Sequence, residues 1–104
     1  MPLKFLLDFR FLFGYIDFMI QKLDAPISVV LVYNHHARRV EVAKILWEGR
    51  EYKVNKLGLH HVFRKGETLF HVFSVEAQTL FFRIILDTNT LSWRVAEIAD
   101  GEPN

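Results

Sequence analysis

The chain has 104 residues, of which 51% are hydrophobic and 24% charged, and it contains no cysteine. This length fits one small domain, the composition excludes a disordered chain, and the missing cysteines exclude disulfides and thiolate metal sites, so we expect a cytoplasmic protein. The net charge of +1 conceals an uneven distribution, because residues 35–65 carry a net charge of +5 and residues 66–104 a net charge of −4. In an antiparallel sheet, two such segments can lie side by side.

The N-terminal segment, residues 1–26, is apolar and rich in phenylalanine, and two periodicities compete in it. Charged residues interrupt the apolar run too often for a membrane span or a signal peptide. Helical spacing gathers its polar positions into one stripe, at Arg10, Gly14, Asp17, Gln21 and Asp24. The alternation from Phe5 to Tyr15 also fits a strand, but a helix is the preferred interpretation. A further alternative is that translation begins at Met19.

From Ile27 onward, short β-branched and aromatic runs are separated by turn residues, which is the pattern of an all-β meander. The predicted strands are 27–33, 40–48, 51–63, 68–76, 79–87 and 91–98. We therefore predict an all-β domain over residues 27–98, a six-stranded antiparallel meander that forms a strongly bent sheet or a small open barrel. Residues 99–104 are predicted to be a C-terminal tail.

Four short turns predict how these strands are aligned, because the length of a hairpin loop determines which residues face one another. The predicted closing pairs are Glu48 with Glu51, Arg64 with Glu67, Glu76 with Thr79, and Asp87 with Thr90. These registers place one mostly apolar set on a single inner face: Ala43, Ile45, Trp47, Tyr52, Val54, His60, Val62, Leu69, His71, Phe73, Val75, Leu80, Phe82, Ile84, Leu86, Leu91, Trp93 and Val95. Gly58 marks a position for a β-bulge, which would exchange the two faces between Tyr52 and His60.

Two pairs of adjacent histidines, at 35–36 and 60–61, raise the question of a metal site. Neighbours on a strand point to opposite faces, so each pair offers at most one ligand. The predicted register sets His60 opposite His71, which makes them a candidate pair of ligands. Zinc takes about three or four protein ligands, and no Asp, Glu or Cys is placed to complete the set. We predict no metal and no cofactor, and we expect His35 and His36 to lie in a solvated turn.

Catalytic patterns are also missing. The serines, Ser28, Ser74 and Ser92, have no evident histidine and acid partners, and no glycine-rich phosphate loop is present. Glu41 and Glu97 are expected at the margins of the sheet, where solvated edge charges are common. We therefore predict no catalytic residues and no enzymatic activity.

A Trp-x-Gly-x-x-Tyr-x-Val hairpin gives the chain a resemblance to small uncharacterised bacterial β-sheet proteins of a domain-of-unknown-function type. The pattern consists of Leu46, Trp47, Gly49, Arg50, Tyr52 and Val54, followed by Phe73, Val75, Asp87 and Trp93. It covers roughly residues 40–98. The resemblance implies a β-sheet fold and a bacterial source, but it implies no activity and no site residues.

The outer face of the predicted sheet is unusual because it is both apolar and basic and carries no acidic residue. We take as its interaction face Lys44, Lys53, His61, Phe63, Phe70, Phe81, Arg83 and Arg94. Something is expected to cover such a face: the N-terminal segment, an identical subunit, or a nucleic acid. The last turn sets Arg83 opposite Arg94, and like charges across a ladder call for an anion between them.

These features predict a small non-enzymatic domain that acts through self-association or another protein–protein interaction, so the preferred partner is a second copy of the chain in a homo-oligomer. The alternative function is nucleic-acid binding, with bases stacked on Phe63, Phe70 and Phe81 and with lysine and arginine at the phosphates. Neither a membrane nor a small-molecule substrate is predicted as a partner.

Overall fold

The computed structural model describes residues 20–100, and these residues form six antiparallel strands that follow one another as a meander. The strands are β1 (Gln21–Asn34), β2 (Arg39–Trp47), β3 (Arg50–Lys65), β4 (Thr68–Ala77), β5 (Leu80–Asp87) and β6 (Ser92–Asp100). Each strand pairs with the next, and β6 pairs back to β1, so the hydrogen bonds run around a closed ring. The predicted all-β meander is confirmed, and its ring closes through β1.

The predicted helix lies mainly in residues 1–19, outside the described residues, as does the alternative start at Met19. The part of that prediction that the structure describes is wrong, because Gln21 and Asp24 belong to β1. β1 therefore begins before the predicted position, Ile27, and continues past Pro26, which is a ladder partner of Arg94. Strand β6 likewise extends to Asp100, into the predicted tail.

The ring is uneven because β1 and β3 each divide their pairing between two neighbours. β1 pairs with β6 as far as Ile27 and with β2 from Ser28 onward. β3 pairs with β2 only from Arg50 to Lys53, and with β4 from Val54 onward. One sheet therefore runs β3–β4–β5–β6–β1, and a smaller sheet, β1–β2–β3, closes the ring.

The hairpin turns lie close to their predicted places, but three of the four closing pairs are displaced by one residue. The observed pairs are Trp47 with Arg50, Lys65 with Thr68, and Ala77 with Leu80. Left-handed backbone conformations explain the first displacement, because Glu48 (φ 52°) and Gly49 (φ 78°) form the two-residue loop that type I′ geometry requires. Each ladder is shifted by two residues near its turn, and a shift of two leaves every side chain on its predicted face.

The core inside the ring is the inner face that the sequence predicts, with additions from β1. Its fully buried members include Ile45, Phe82, Ile84 and Val95, each with 0% of its surface exposed. The Phe82 ring lies 5.2 Å from that of Tyr52 and 6.4 Å from that of Trp47, measured between ring centroids. Leucine, alanine, isoleucine and valine side chains of β1 complete the packing: Leu23, Ala25, Ile27 and Val29.

Three residues that the sequence assigns to the inner core do not pack into it: Leu91, Ala43 and Val62, which is 49% exposed. The predicted register puts Leu91 in the core, but Leu91 lies in the turn after β5, has a left-handed backbone (φ 62°) and is 70% exposed. The sequence also predicts Ala43 in the core. The β1–β2 register shifts beside it, and Val42 is the residue that packs into the core there.

Strand β3 contains two irregularities, one of them at the predicted glycine. The register with β4 shifts between Val54 and Lys56 and again between Leu57 and His60. Each shift exchanges the faces, so the two together return His60 to the same face as Tyr52. At Gly58 a Cβ atom would lie 2.7 Å from Ser74 Oγ, which only a residue without a side chain avoids. Ser74 Oγ accepts a hydrogen bond from the Leu59 amide at 2.8 Å and thereby supports the bulge.

Candidate functional site

The predicted interaction face is divided between the two sheets. Lys44 and Lys53 are ladder partners in the small sheet, whereas the other six residues lie on the large sheet. An acidic residue accompanies the two lysines, because Glu51 forms an ion pair with Lys44. The hydrogen bond and charge of Lys44 lower the pKa of Glu51. The two lysines therefore belong to a mixed-charge exposed surface.

The predicted juxtaposition of Arg83 and Arg94 is wrong. Arg83 is the ladder partner of Glu97, and Arg94 is the ladder partner of Ile85. Two irregularities cause the difference: the last turn is longer than predicted, so Asp87 pairs with Ser92, and β6 shifts register beyond Val95. Each arginine faces an acid within the chain, which removes the need for an anion between them.

The two arginines differ in environment. Arg94 is half exposed, and its guanidinium contacts the Asp24 carboxylate of β1 and donates a 2.7 Å hydrogen bond to the Asp24 carbonyl oxygen. The Arg83 side chain is only 9% exposed, and its Nε lies 3.7 Å from Oε1 of Glu97. Burial lowers the pKa of Arg83, and the Glu97 carboxylate partly offsets this effect. Buried as it is, Arg83 is out of reach of an external phosphate.

The aromatic part of the predicted face is partly buried. Phe63 and Phe70 stack on each other, with ring centroids 5.0 Å apart and an angle of 10° between the ring planes. Phe81 packs in a separate cluster with Ile20, Leu59 and Ala99. His61 is the ladder partner of Val72, whose side chain is fully buried. Phe63, Phe70 and Phe81 are thus half-buried.

The sequence predicts His60 and His71 as ladder partners, which they are not, but their side chains do come together, with His60 exposed and His71 half-buried. His60 pairs with Phe73 and His71 with Val62, yet His60 Nε2 lies 2.7 Å from His71 Nδ1. The His60 ring also stacks on Phe73, with 4.3 Å between ring centroids. Burial lowers the pKa of His60, and the neighbouring His71 and His61 lower it further. Among residues 20–100, no group of three or more His, Asp or Glu is arranged to hold a metal ion.

The β1–β2 hairpin forms a surface that the sequence did not single out. At the end of β1, the side chains of Val30, Leu31, Val32 and Tyr33 are 42, 42, 43 and 63% exposed. The sequence predicts a strand over this run, but the alternation pattern does not show that both of its faces are exposed. We call these four residues the hairpin patch.

A cleft of about 850 Å³ opens between β2 and β3, where their ladder ends. It was also missed, because its residues come from strands that the predicted registers pair along their whole length. Its wall combines cationic, acidic and apolar side chains with a glycine: Arg38, Arg39, Val40, Glu41, Val42, Val54, Asn55, Lys56, Leu57, Gly58 and His60. Arg39 and Glu41 form an ion pair across 3.3 Å within this wall.

Comparison with protein families, with characterised proteins and with solved structures finds no match for this chain. Within residues 20–100, no helix has the length and hydrophobicity needed to cross a membrane. The candidate sites therefore rest on the geometry of the chain itself.

Proposed function

We propose that this protein is a self-associating interaction domain and that the hairpin patch is its contact surface. The observation that carries the proposal is the exposure of four consecutive apolar residues, Val30 to Tyr33, at the end of a strand. Isolated apolar residues are common on protein surfaces, but a contiguous exposed group usually marks a site of association.

The position of the hairpin patch in the ring supports this proposal. From Ser28 to Asn34, β1 pairs with β2 on one side, and no ladder partner lies on its other side within the described part of the chain. Successive side chains point to opposite faces of a strand, so both faces of this hairpin end are apolar. An exposed apolar edge strand readily adds a strand from another molecule.

A second copy of the chain is the partner that best fits this edge. Two-fold symmetry brings the same strand of each copy together in antiparallel orientation. No charged residue occurs from Ala25 to Tyr33, so this pairing places no like charges opposite each other. The polar ends of the hairpin, including the two histidines of its turn, remain in solvent.

The proposal is tested by measuring the mass of the full-length protein in solution over a concentration series, by analytical ultracentrifugation or light scattering. We expect a dimer that Val32→Lys weakens by at least about tenfold. Each buried valine contributes roughly 1.5 kcal/mol or more, and about 1.4 kcal/mol corresponds to a factor of ten. Val62→Lys is the matched control, because Val62 is a 49% exposed valine on β3, outside the patch.

A monomer at every concentration would contradict the proposal, and so would equal effects of the two lysine variants. Binding of a single-stranded oligonucleotide that weakens steeply with salt would support the alternative function, because phosphate contacts release counterions. Self-association through apolar side chains should depend little on salt.

A further inference from the structure

We infer that the cleft between β2 and β3 binds an extended acidic peptide, which enters the ring as an additional strand. This site is separate from the hairpin patch, which faces the other edge of the same hairpin. The inference therefore does not depend on self-association.

The first argument is the interruption of the β2–β3 ladder. The last pair is Lys44 with Lys53, after which β2 continues back to Arg39 and β3 continues to Lys65. Beyond that pair, β2 is bonded to β1 and β3 to β4, and within residues 20–100 neither has a ladder partner on the side of the cleft. The edges of both strands therefore offer backbone amide and carbonyl groups to a bound guest peptide. Peptides that add to a sheet as an extra strand bind to such edges.

The second argument is the size and lining of the cleft. Its volume of about 850 Å³ falls within the range of pockets that bind ligands, roughly 300 to 1,000 Å³. Val42, Val54 and Leu57 supply an apolar lining that continues into the core of the ring. A bound strand points alternate side chains in opposite directions, so every second residue of the guest contacts this lining.

The third argument is charge. Three cations line the cleft, Arg38, Arg39 and Lys56, against one acid, Glu41. Glu41 is engaged by Arg39, whereas Arg38 and Lys56 are exposed and have no ion pair within the described residues. The side chains of the guest that point away from the apolar lining thus meet a net positive rim, which favours Asp and Glu at those positions.

The same lining argues against a nucleic acid as the occupant. Single-stranded nucleic acids are held by aromatic rings on which the bases stack. No Phe, Tyr or Trp lines this cleft, where the one ring is the imidazole of His60, already stacked on Phe73. Open strand edges, moreover, match the backbone spacing of a peptide.

The experiment uses the full-length protein and measures fluorescence anisotropy with labelled peptides of about six residues, a common strand length. The probe alternates Glu with Val, and two matched peptides replace Glu by Gln or by Lys. A fourth peptide keeps the acidic sequence but is N-methylated at alternate residues, which removes backbone donors. A short single-stranded oligonucleotide is tested in parallel.

We expect the acidic peptide to bind best and to weaken with salt. Removing the two exposed cations in Arg38→Gln with Lys56→Gln should weaken its binding roughly threefold for each cation lost, as for exposed ion pairs. Arg64→Gln with Lys65→Gln is the control, since it removes the same charge from exposed positions of β3 outside the cleft. Both variants should keep the solution mass of the parent protein.

Each other result overturns a defined part of the inference. Equal binding of the Glu and Gln peptides removes the preference for acids, and equal binding of the N-methylated peptide removes strand addition. If the oligonucleotide binds more tightly than every peptide, the ligand of the cleft is a nucleic acid and not a peptide. If no peptide binds, the cleft is not a peptide site, and the mass measurements on self-association stand unaffected.

Discussion

Arg83 and Glu97 face each other across the β5–β6 ladder, with Glu97 Oε1 3.7 Å from Arg83 Nε and both side chains almost completely buried. The pair lies on the outer face of the large sheet, beside Ser74. Two charges held out of water attract each other strongly, but both have lost their hydration. Removing one charge while the other stays buried is therefore more harmful than replacing both.

The first prediction concerns this pair. Glu97→Gln should lower the free energy of unfolding by about 3 to 5 kcal/mol, because it removes the carboxylate that partly offsets the burial of the Arg83 charge. The double change Arg83→Met with Glu97→Leu should recover part of that loss, since it removes both charges of this pair. Urea unfolding measures both. Asp24→Asn is the control, because it breaks the exposed pair with Arg94 and should cost at most about 1 kcal/mol. A double variant less stable than Glu97→Gln would contradict this account.

The second prediction concerns the close approach of β3 and β4 at Gly58. Gly58→Ala should destabilise the protein by roughly 1 to 3 kcal/mol, because the new Cβ would lie 2.7 Å from Ser74 Oγ and 3.1 Å from the Ser74 carbonyl oxygen. The same change should cost less when Ser74→Ala has already removed the hydroxyl. A double-mutant cycle on unfolding free energies measures this coupling. Additive effects would show that the hydroxyl is not what excludes a side chain at this position.

The third prediction concerns the core. Phe82→Ala should destabilise by about 3 to 5 kcal/mol, because Phe82 is fully buried and contacts the rings of Tyr52 and Trp47. Lys53 lies on the outer face of the small sheet, so Lys53→Ala should change the free energy of unfolding little. Thermal or urea unfolding of both variants checks the assignment of the two faces. A tolerant Phe82 position together with a sensitive Lys53 would reverse that assignment.

The sequence predicts which face of the sheet each side chain occupies better than it predicts the registers of the strands. The reason is that side chains alternate along a strand with a period of two residues. The placement of Ile45, Tyr52 and Phe82 inside the ring therefore survives a shift of two. Nothing in the alternation distinguishes Trp47–Arg50 from Glu48–Glu51 as the closing pair. The left-handed backbone conformations of Glu48 and Gly49 determine that Trp47 and Arg50 form the closing pair.

The candidate sites were less predictable because they depend on irregularities and on ring closure. The longer last turn and a register shift in β6 together place Glu97 opposite Arg83, and they change a predicted pair of like charges into an ion pair. The sequence predicts only part of β1, because Gln21 and Asp24 fall on a helical stripe. The hairpin patch and the cleft arise where β1 and β3 change partners, which is a property of the whole ring and not of any one segment.

The last prediction concerns pH and the contact between His60 and His71. Their facing nitrogens, Nε2 and Nδ1, lie 2.7 Å apart, so one must donate a proton that the other accepts. Protonating both rings would turn two donors toward each other. Burial and the neighbouring histidines hold the pKa of His60 below its ordinary value of 6.5. The folded state therefore binds fewer protons than the unfolded chain just below that pH, and stability falls as the pH decreases through about 6.5.

We expect the thermal midpoint to decrease as the pH is lowered from about 7.5 to about 5. The decrease should level off below the pKa of His60 in the folded state. His60→Gln should reduce this dependence, whereas His36→Gln, in the exposed turn after β1, should retain it. Glu51 acts in a different window, because its lowered pKa contributes stability that is lost only below about 4.5. Differential scanning calorimetry above pH ~5 therefore separates the two effects. A midpoint that is constant or rises on acidification would exclude the His60–His71 contact as a source of pH dependence, and so would an unchanged fall in His60→Gln.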